Sequence, residues 1–374
     1  MEHPAAHALP TAIAFTELLI LLLPLPLIVA ANWHESPPKG SGAVPRGAAL
    51  VGSATWFVLG LLAAACILFA LFTLALVPSS GAARGGNRSV FIYSAVLLVT
   101  GLVAATLIAE PVREQLARIL PIDPRSAVHG TALVLSASLV GSQLASQLAT
   151  DVLSQQATSG PALAPIDLVV RELPFLLASV LGVGLFMRRG TAATLTRLGL
   201  VRPTAWQILL GLGAAGLFFA FGNGMDALAH LVTPGTAQKV EVANQRLFGQ
   251  LGDPVGIATI ALSAGICEEA LFRGAMQPRL GVLWSALVFT AVHAQYGLSL
   301  VAAAVLVLAV GLGLLRRLTN TTTSTICHVV YNTLVGVGVA GVWLGPALAI
   351  EAGLLIAGLA AFLTGRVGSL RTAP

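Results

Sequence analysis

Two adjacent glutamates and an arginine interrupt an apolar stretch of the chain, in the segment CEEALFR at residues 267–273. Ionisable side chains inside a hydrophobic segment are energetically costly, and they usually mark a functional site or a specific ion pair. Glu269 and Arg273 are four residues apart, so a helix would place them on one face, where they can pair. Glu268 would point about 100° away from Glu269. One glutamate can therefore neutralise the arginine while the other is available for chemistry.

Two further polar patterns follow in apolar segments downstream. Phe289 precedes His293 by about one helical turn, and His328 precedes Asn332 by the same interval. The helix ends near Leu280, Val282 and Thr319 belong to one predicted side of the membrane. With a rise of 1.5 Å per residue, Glu268, His293 and His328 lie roughly 18, 16 and 14 Å from these ends. The three groups thus fall at one depth, as a convergent site requires. A carboxylate and two imidazoles can activate water for hydrolysis, by themselves or around a metal ion.

The composition of the chain indicates the solvent in which these residues work. The 374 residues are 56% hydrophobic and only 9% charged, with a mean hydropathy of +0.90, whereas soluble domains carry about 25% charged residues. A lipid bilayer fits this composition. We therefore predict an all-α fold, a polytopic transmembrane helical bundle. About eleven helices are expected, near residues 11–31, 48–77, 89–109, 128–150, 169–187, 205–231, 256–280, 282–297, 299–315, 319–340 and 343–363.

The basic residues predict the orientation of this bundle. Most of them fall in loops after odd-numbered helices, so the positive-inside rule predicts an N-terminus outside and a cytoplasmic C-terminus. The polar stretch 151–167 predicts a boundary between N-terminal transmembrane helices of unknown role (1–165) and a second unit (166–374) whose motifs lie within about 255–340. An alanine-, glycine- and arginine-rich composition is typical of GC-rich bacterial genomes. We therefore expect a multi-pass protein of a bacterial cytoplasmic (inner) membrane.

Several common sites are absent from the sequence. The three cysteines have no CxxC spacing, and neither the HExxH pattern of zincins nor the GxSxG serine elbow occurs. The basic residues are scattered singly along loops rather than clustered, so we expect the lipid bilayer and no nucleic acid as a partner.

In their order, the three patterns resemble the CAAX prenyl protease and bacteriocin-processing family, called CPBP or ABI, of intramembrane proteases. That family carries a glutamate pair followed by arginine, then Phe-x-x-x-His, then His-x-x-x-Asn, on successive membrane helices. The resemblance covers about residues 190–345. The corresponding residues in this chain are Glu268, Glu269, Arg273, Phe289, His293, His328 and Asn332.

The resemblance implies a protease that hydrolyses a peptide bond, and the spacing permits the same roles. Glu268 would activate the water, and His293 would orient it and carry its proton. His328 and Asn332 would hydrogen-bond the tetrahedral oxygen, while Glu269, Arg273 and Phe289 would hold these groups in place. The family is often called metalloprotease, although a metal-free glutamate mechanism is also argued for it. A zinc ion held by Glu268, His293 and His328 is the alternative that the sequence leaves open.

Two other functions remain open at this stage. The same fold could serve as a non-catalytic immunity or scaffold protein that binds a bacteriocin or another partner. The chain could also be a transporter that uses Asp226 and Glu351, which we take as the other acids in membrane segments. The intact motifs favour the enzyme, with a peptide or membrane-protein partner as substrate. In eukaryotic relatives the substrate is a prenylated CAAX protein.

Overall fold

The structure, a computed structural model, describes residues 18, 21–36, 47–76, 84–159, 162–339 and 343–371. Within these ranges the regular elements are helices, and the β pairing found there is one isolated bridge between Leu185 and Arg189. The predicted all-α class is therefore confirmed for this part of the chain.

The helices follow one another with short connections. In chain order they are α1 (Leu25–His34), α2 (Ala48–Leu76), α3 (Arg84–Ile108), α4 (Glu110–Leu116), α5 (Ala127–Ala149), α6 (Val152–Ser159), α7 (Pro165–Gly182), α8 (Thr191–Leu198), α9 (Ala205–Val232), α10 (Pro234–Phe248), α11 (Pro254–Glu268), a π-helical segment (Glu269–Met276), α12 (Gln277–Val292), α13 (Leu300–Leu318), α14 (Thr321–Val337) and α15 (Leu344–Arg371).

Several of these helices can cross a bilayer, as expected of a multi-pass integral membrane protein. Seven helical segments among the described residues are long and apolar enough: Ala48–Leu76, Arg88–Ile108, Ala127–Ala149, Ala205–Val232, Pro254–Val292, Leu300–Leu318 and Leu344–Thr364. The predicted count of eleven is not confirmed. The predicted span 11–31 lies partly outside the described residues, α7 carries Arg171 and Glu172, and α14 has only 17 residues. The orientation of the termini remains a prediction.

The longest of these segments, from α11 to α12, is a hairpin rather than one straight helix. Phe272 and Phe289 would be roughly 25 Å apart along a straight helix, but their ring centroids are 5.2 Å apart. The chain reverses at Gly281, whose φ of 78° and ψ of 171° are not helical. The sequence predicts a break at this residue, between the segments 256–280 and 282–297, and the structure confirms it.

Gly281 gives a test of this hairpin. An added Cβ would meet only ordinary contact, 3.7 Å from Leu120 Cδ2, so Gly281→Ala should act through backbone strain alone. We expect it to lower the free energy of unfolding by about 1–3 kcal/mol, the cost of placing an L-residue in a backbone region that is essentially restricted to glycine. Denaturant unfolding of the purified chain in mixed micelles measures this.

Gly60→Ala is the matched control, because Gly60 lies inside α2 with no atom near the added Cβ. Alanine is the better helix residue there, so no loss of stability is expected. Equal losses in both variants would contradict the hairpin conformation at Gly281.

The N-terminal helices pack against the bend and the second limb of this hairpin. Leu59 of α2, Val134 of α5 and Leu280 of α12 belong to one buried apolar cluster. Trp284 Nε1 also donates a hydrogen bond of 2.9 Å to Ser136 Oγ on α5. The N-terminal helices thus support α12, which ends beside His293.

Candidate active site

The two adjacent glutamates lie at the junction between an α-helix and a π-helical segment. Helix α11 begins after Asp253, whose side chain accepts a hydrogen bond from the Gly256 backbone N–H, and ends at Glu268. A π-helical segment begins at Glu269, and such segments often occur at functional sites. Glu268 is 5% exposed and Glu269 is fully buried. Both carboxyl groups therefore depend on protein partners rather than on solvent.

Glu269 and Arg273 form the ion pair that their spacing predicts. Arg273 Nη1 lies 3.1 Å from Glu269 Oε1, with both side chains almost completely buried. Arg273 Nη2 donates to the Ala309 carbonyl of α13 at 3.2 Å. The same Glu269 oxygen lies 3.1 Å from His328 Nδ1 on α14. This group of polar side chains connects the π segment with α13 and α14.

Phe289 packs between the charged and the imidazole groups. Its ring centroid lies 4.3 Å from the guanidinium carbon of Arg273 and 4.4 Å from the ring of His293, which stacks on it. The ring of His328 meets it edge-on at 6.0 Å. A cation over an aromatic face is stabilising, more so away from water. Phe289 therefore contacts both histidine rings, and its supporting role remains a prediction.

Hydrogen bonds define which nitrogen of each histidine faces the site. His293 Nδ1 lies 2.7 Å from the Phe289 carbonyl oxygen, which can only accept, so Nδ1 carries the hydrogen. His328 Nδ1 faces the Glu269 carboxylate in the same way. In the neutral tautomers, Nε2 of both histidines is left with a lone pair.

Both Nε2 atoms point toward Glu268. His293 Nε2 lies 3.8 Å from Glu268 Oε1, and His328 Nε2 lies 3.9 Å from Glu268 Oε2. These separations are too long for direct hydrogen bonds, but a single water molecule can bridge such distances. Glu268 Oε2 is also buried without a hydrogen-bond partner in the described protein. The structure thus brings together the three groups that the sequence places at one depth.

Asn332 lies one turn after His328 on α14 and is partly buried. The spacing of four residues puts it on the face of His328. Among the described residues, however, its side chain makes no hydrogen bond. Its predicted role at the tetrahedral oxygen therefore remains a prediction.

Two residues near the site were missed by the sequence analysis. Glu172 of α7 is 7% exposed and close enough to Glu268 for the two carboxyl groups to interact electrostatically. The ring of Tyr296 lies nearly parallel to that of His293, with centroids 6.2 Å apart. Glu172 could have been found, because it is an acid within an apolar segment. Tyr296 carries no such signal, because it lies in a short turn after α12.

The two acids considered for transport lie elsewhere. The side chain of Asp226 is 64% exposed and lies 3.6 Å from His230 Nδ1. Glu351 packs against Gly216 of α9 so closely that an added Cβ at Gly216 would collide with it. No contact found in the described part of the chain joins either acid to Glu268.

The donor set of Glu268, His293 and His328 is chemically suited to zinc, but its spacing is not. Ligand atoms at the usual zinc distances lie about 3.4 Å apart in a tetrahedral site, and the carboxylate–imidazole separations here are 3.8 and 3.9 Å. Among the described residues, no group of three or more His, Cys, Asp or Glu side chains has the arrangement of a metal site. The zinc alternative gains no support from this geometry.

The fold and the site together define a class, that of multi-pass helical membrane proteins with a buried glutamate–histidine cluster between the C-terminal helices. Residues 250–334 match the model of the Rce1-like family, which is described as type II CAAX prenyl endopeptidase Rce1-like. This range contains all three patterns from Glu268 to Asn332 and confirms the resemblance found in the sequence. The family points to a peptide hydrolase. No curated protein and no solved structure matches the chain.

Proposed function

We propose that the chain is an intramembrane endopeptidase in which Glu268 activates a water molecule for attack on a peptide bond. The observation that carries this proposal is the convergence of three hydrogen-bond acceptors, namely the Glu268 carboxylate and Nε2 of His293 and of His328. Acceptors that face one another need a hydrogen donor between them. A water molecule donates two hydrogens, so it can bridge the Glu268 carboxylate to one of the two Nε2 atoms and is polarised for reaction.

The reaction then follows from these positions. Glu268 takes a proton from the water as its oxygen attacks the carbonyl carbon, and a tetrahedral intermediate with a negative oxygen forms. The proton passes to the amide nitrogen, the carbon–nitrogen bond breaks, and a carboxylic acid and an amine leave. His293 is suited to orient the water, because its Nδ1–H is held by the Phe289 carbonyl and its Nε2 faces Glu268.

The negative oxygen of the intermediate needs hydrogen-bond donors. The side-chain amide of Asn332 can supply one, because it lies on the same face of α14 as His328. His328 becomes a second donor when it holds a proton on Nε2, and the resulting imidazolium is stabilised by Glu269, whose carboxylate lies beside Nδ1. Glu269 and Arg273 act only through this contact and are positioning residues.

The Rce1-like description names a CAAX prenyl endopeptidase, so a prenylated C-terminal CAAX peptide is the first substrate to test. A peptide or membrane-protein substrate without a prenyl group is the second, since the chain has the composition of a bacterial protein. Either substrate would reach Glu268 from the bilayer or from its cytoplasmic side. The cytoplasmic membrane of a bacterium is the location that we propose.

The experiment that tests this function uses the purified full chain in detergent micelles. A farnesylated peptide with a quenched fluorophore beyond the cysteine would be compared with the same peptide without the farnesyl group. We expect fluorescence to rise with enzyme concentration, and mass spectrometry to identify one cleavage site. No cleavage of these peptides, or of membrane-protein substrates from the same host, would favour the non-catalytic scaffold.

We also expect cleavage to continue after chelation, because the carboxylate–imidazole separations suit a bridging water better than a shared zinc ion. The rate with EDTA or 1,10-phenanthroline should remain within about twofold of the untreated rate, whereas loss of a catalytic metal would remove the activated water altogether. The same chelators acting on a known zinc protease serve as the positive control. Loss of activity that returns when zinc is added would contradict the proposed metal-free reaction.

A further inference from the structure

A cavity of about 380 Å³ lies away from Glu268, between α1, α5, α7 and the π segment. Its wall is mostly apolar and includes Ile28, Leu135, Phe175 and Val288, but neither Glu268 nor the two histidines of the site. It falls within the size range of small-molecule sites, about 300–1,000 Å³. No part of the proposed reaction uses this space.

Phe272 separates this cavity from the candidate active site. It lines the cavity, is 1% exposed, and packs against Phe175 on the cavity side, with ring centroids 5.8 Å apart. It also contacts Phe289, which touches the two histidine rings, at 5.2 Å. A molecule in the cavity would therefore lie behind the active-site wall and not beside the reacting groups.

Four arginines line one end of the cavity, namely Arg188, Arg189, Arg197 and Arg279. Glu35 pairs with Arg188 at 2.8 Å, and no other carboxylate among the described residues lies within ion-pair distance of these four. Burial and then the neighbouring arginines lower the pKa of Arg197 to about 10, so it stays charged at neutral pH. The result is an excess of positive charge at the mouth of an apolar cavity.

The length of the cavity matches one leaflet of a bilayer. Leu280, next to Arg279 and the bend at Gly281, lines one end of the cavity, and Val292 lines it roughly 16 Å further along the second limb of the hairpin, at 1.5 Å per residue. One leaflet contributes about half of the ~30 Å hydrocarbon core. An acyl chain that enters from the arginine end would therefore extend along α12 to about the middle of the membrane.

We propose that this cavity binds one anionic phospholipid, with its phosphate among the arginines and an acyl chain along α5, α7 and α12. Basic pockets between transmembrane helices are suited to anionic headgroups. Arginine is also the preferred partner of phosphate, because its planar group donates two parallel hydrogen bonds. The lipid would connect the N-terminal helices to the protease-like segment, which gives residues 1–165 a role that does not depend on the proposed function.

Native mass spectrometry of the full chain in detergent tests this proposal. Dioleoylphosphatidylglycerol and dioleoylphosphatidylcholine would be added at equal concentration, and the lipid retained per protein counted. We expect one phosphatidylglycerol, bound about tenfold or more tightly than phosphatidylcholine. The double variant Arg189→Gln/Arg197→Gln should lower that affinity about tenfold or more, because each arginine near an anionic headgroup contributes to binding.

Two comparisons distinguish a built site from general attraction. Arg202→Gln/Arg317→Gln is the matched control, because both arginines are exposed and neither lines the cavity; its affinity should stay within about twofold of wild type. Ala178→Phe fills the cavity without a change of charge and should reduce lipid binding as strongly as the double variant. Circular dichroism and a thermal scan verify that each variant folds. If Ala178→Phe does not fold, the comparison of the two arginine double variants still tests the proposal.

Four results would overturn the proposal. Equal retention of the two lipids would mean that the protein does not recognise the headgroup. Equal losses of lipid affinity in the two arginine double variants would indicate diffuse attraction to the protein surface. If soluble glycerol phosphate binds as tightly as the lipid and Ala178→Phe has no effect, the arginines bind only the free phosphate group. If the farnesylated peptide displaces the lipid, the cavity belongs to the substrate.

Discussion

Glu268→Gln is expected to lower kcat for peptide cleavage by about 10³-fold, in the range typical of loss of a general base. Glutamine keeps the size of the side chain but cannot take a proton from water. Its amide also replaces one acceptor oxygen with an N–H₂ donor, so the water that bridges the carboxylate and the Nε2 atoms would lose an acceptor. The fluorescent peptide assay on the purified full chain measures kcat and KM separately, and KM should change little.

Two controls accompany this variant. Glu241→Gln removes a carboxylate whose side chain is 72% exposed, remote from the site, and should leave kcat unchanged. A thermal scan of Glu268→Gln should show no loss of stability, because a neutral amide replaces a buried carboxylate whose Oε2 has no protein partner. A variant that folds and cleaves at the wild-type rate would exclude Glu268 as the base and return the scaffold hypothesis to consideration.

The arrangement of the site could be predicted from the sequence to a large extent, because charge is rare in this chain. Every ionisable residue in an apolar segment needs a partner, so Glu269 and Arg273 could be paired from their spacing alone. The common depth of Glu268, His293 and His328 followed from helix rise and from helix ends that the loops define. These rules need no long-range contact, and the observed 3.1 Å ion pair and the convergence on Glu268 agree with them.

Other features depend on contacts between segments that are distant in the sequence. Glu172 approaches Glu268 only because α7 packs against α11, and the lipid cavity exists only because α1 and α5 close one side of it. The count of spans is not confirmed for a related reason: hydropathy alone does not show whether a short or charged helix such as α7 crosses the bilayer or is buried by its neighbours. The π winding after Glu268 has no sequence signal that we could use.

The second large effect concerns stability. Arg273→Met should lower the free energy of unfolding by about 3–5 kcal/mol, the usual cost of removing one partner from a buried ion pair. Methionine fills most of the volume, but it leaves the fully buried Glu269 carboxylate without its cationic partner, with neutral donors such as the His328 Nδ1–H beside it. It also removes the hydrogen bond to the Ala309 carbonyl and the cation stacked on Phe289. Denaturant unfolding in mixed micelles, followed by circular dichroism, measures the change.

A double-mutant cycle with Glu269→Gln separates the ion pair from packing. If the cost of Arg273→Met comes mainly from an unpaired buried charge, the double variant Glu269→Gln/Arg273→Met should be more stable than the sum of the two single losses predicts, by about 1–3 kcal/mol. Purely additive losses would mean that the two side chains stabilise the fold independently, through volume alone. Arg273→Lys refines the same argument, because it keeps the charge but lacks the planar group that contacts Glu269 and the Ala309 carbonyl at once. We therefore expect its loss to lie between those of wild type and Arg273→Met.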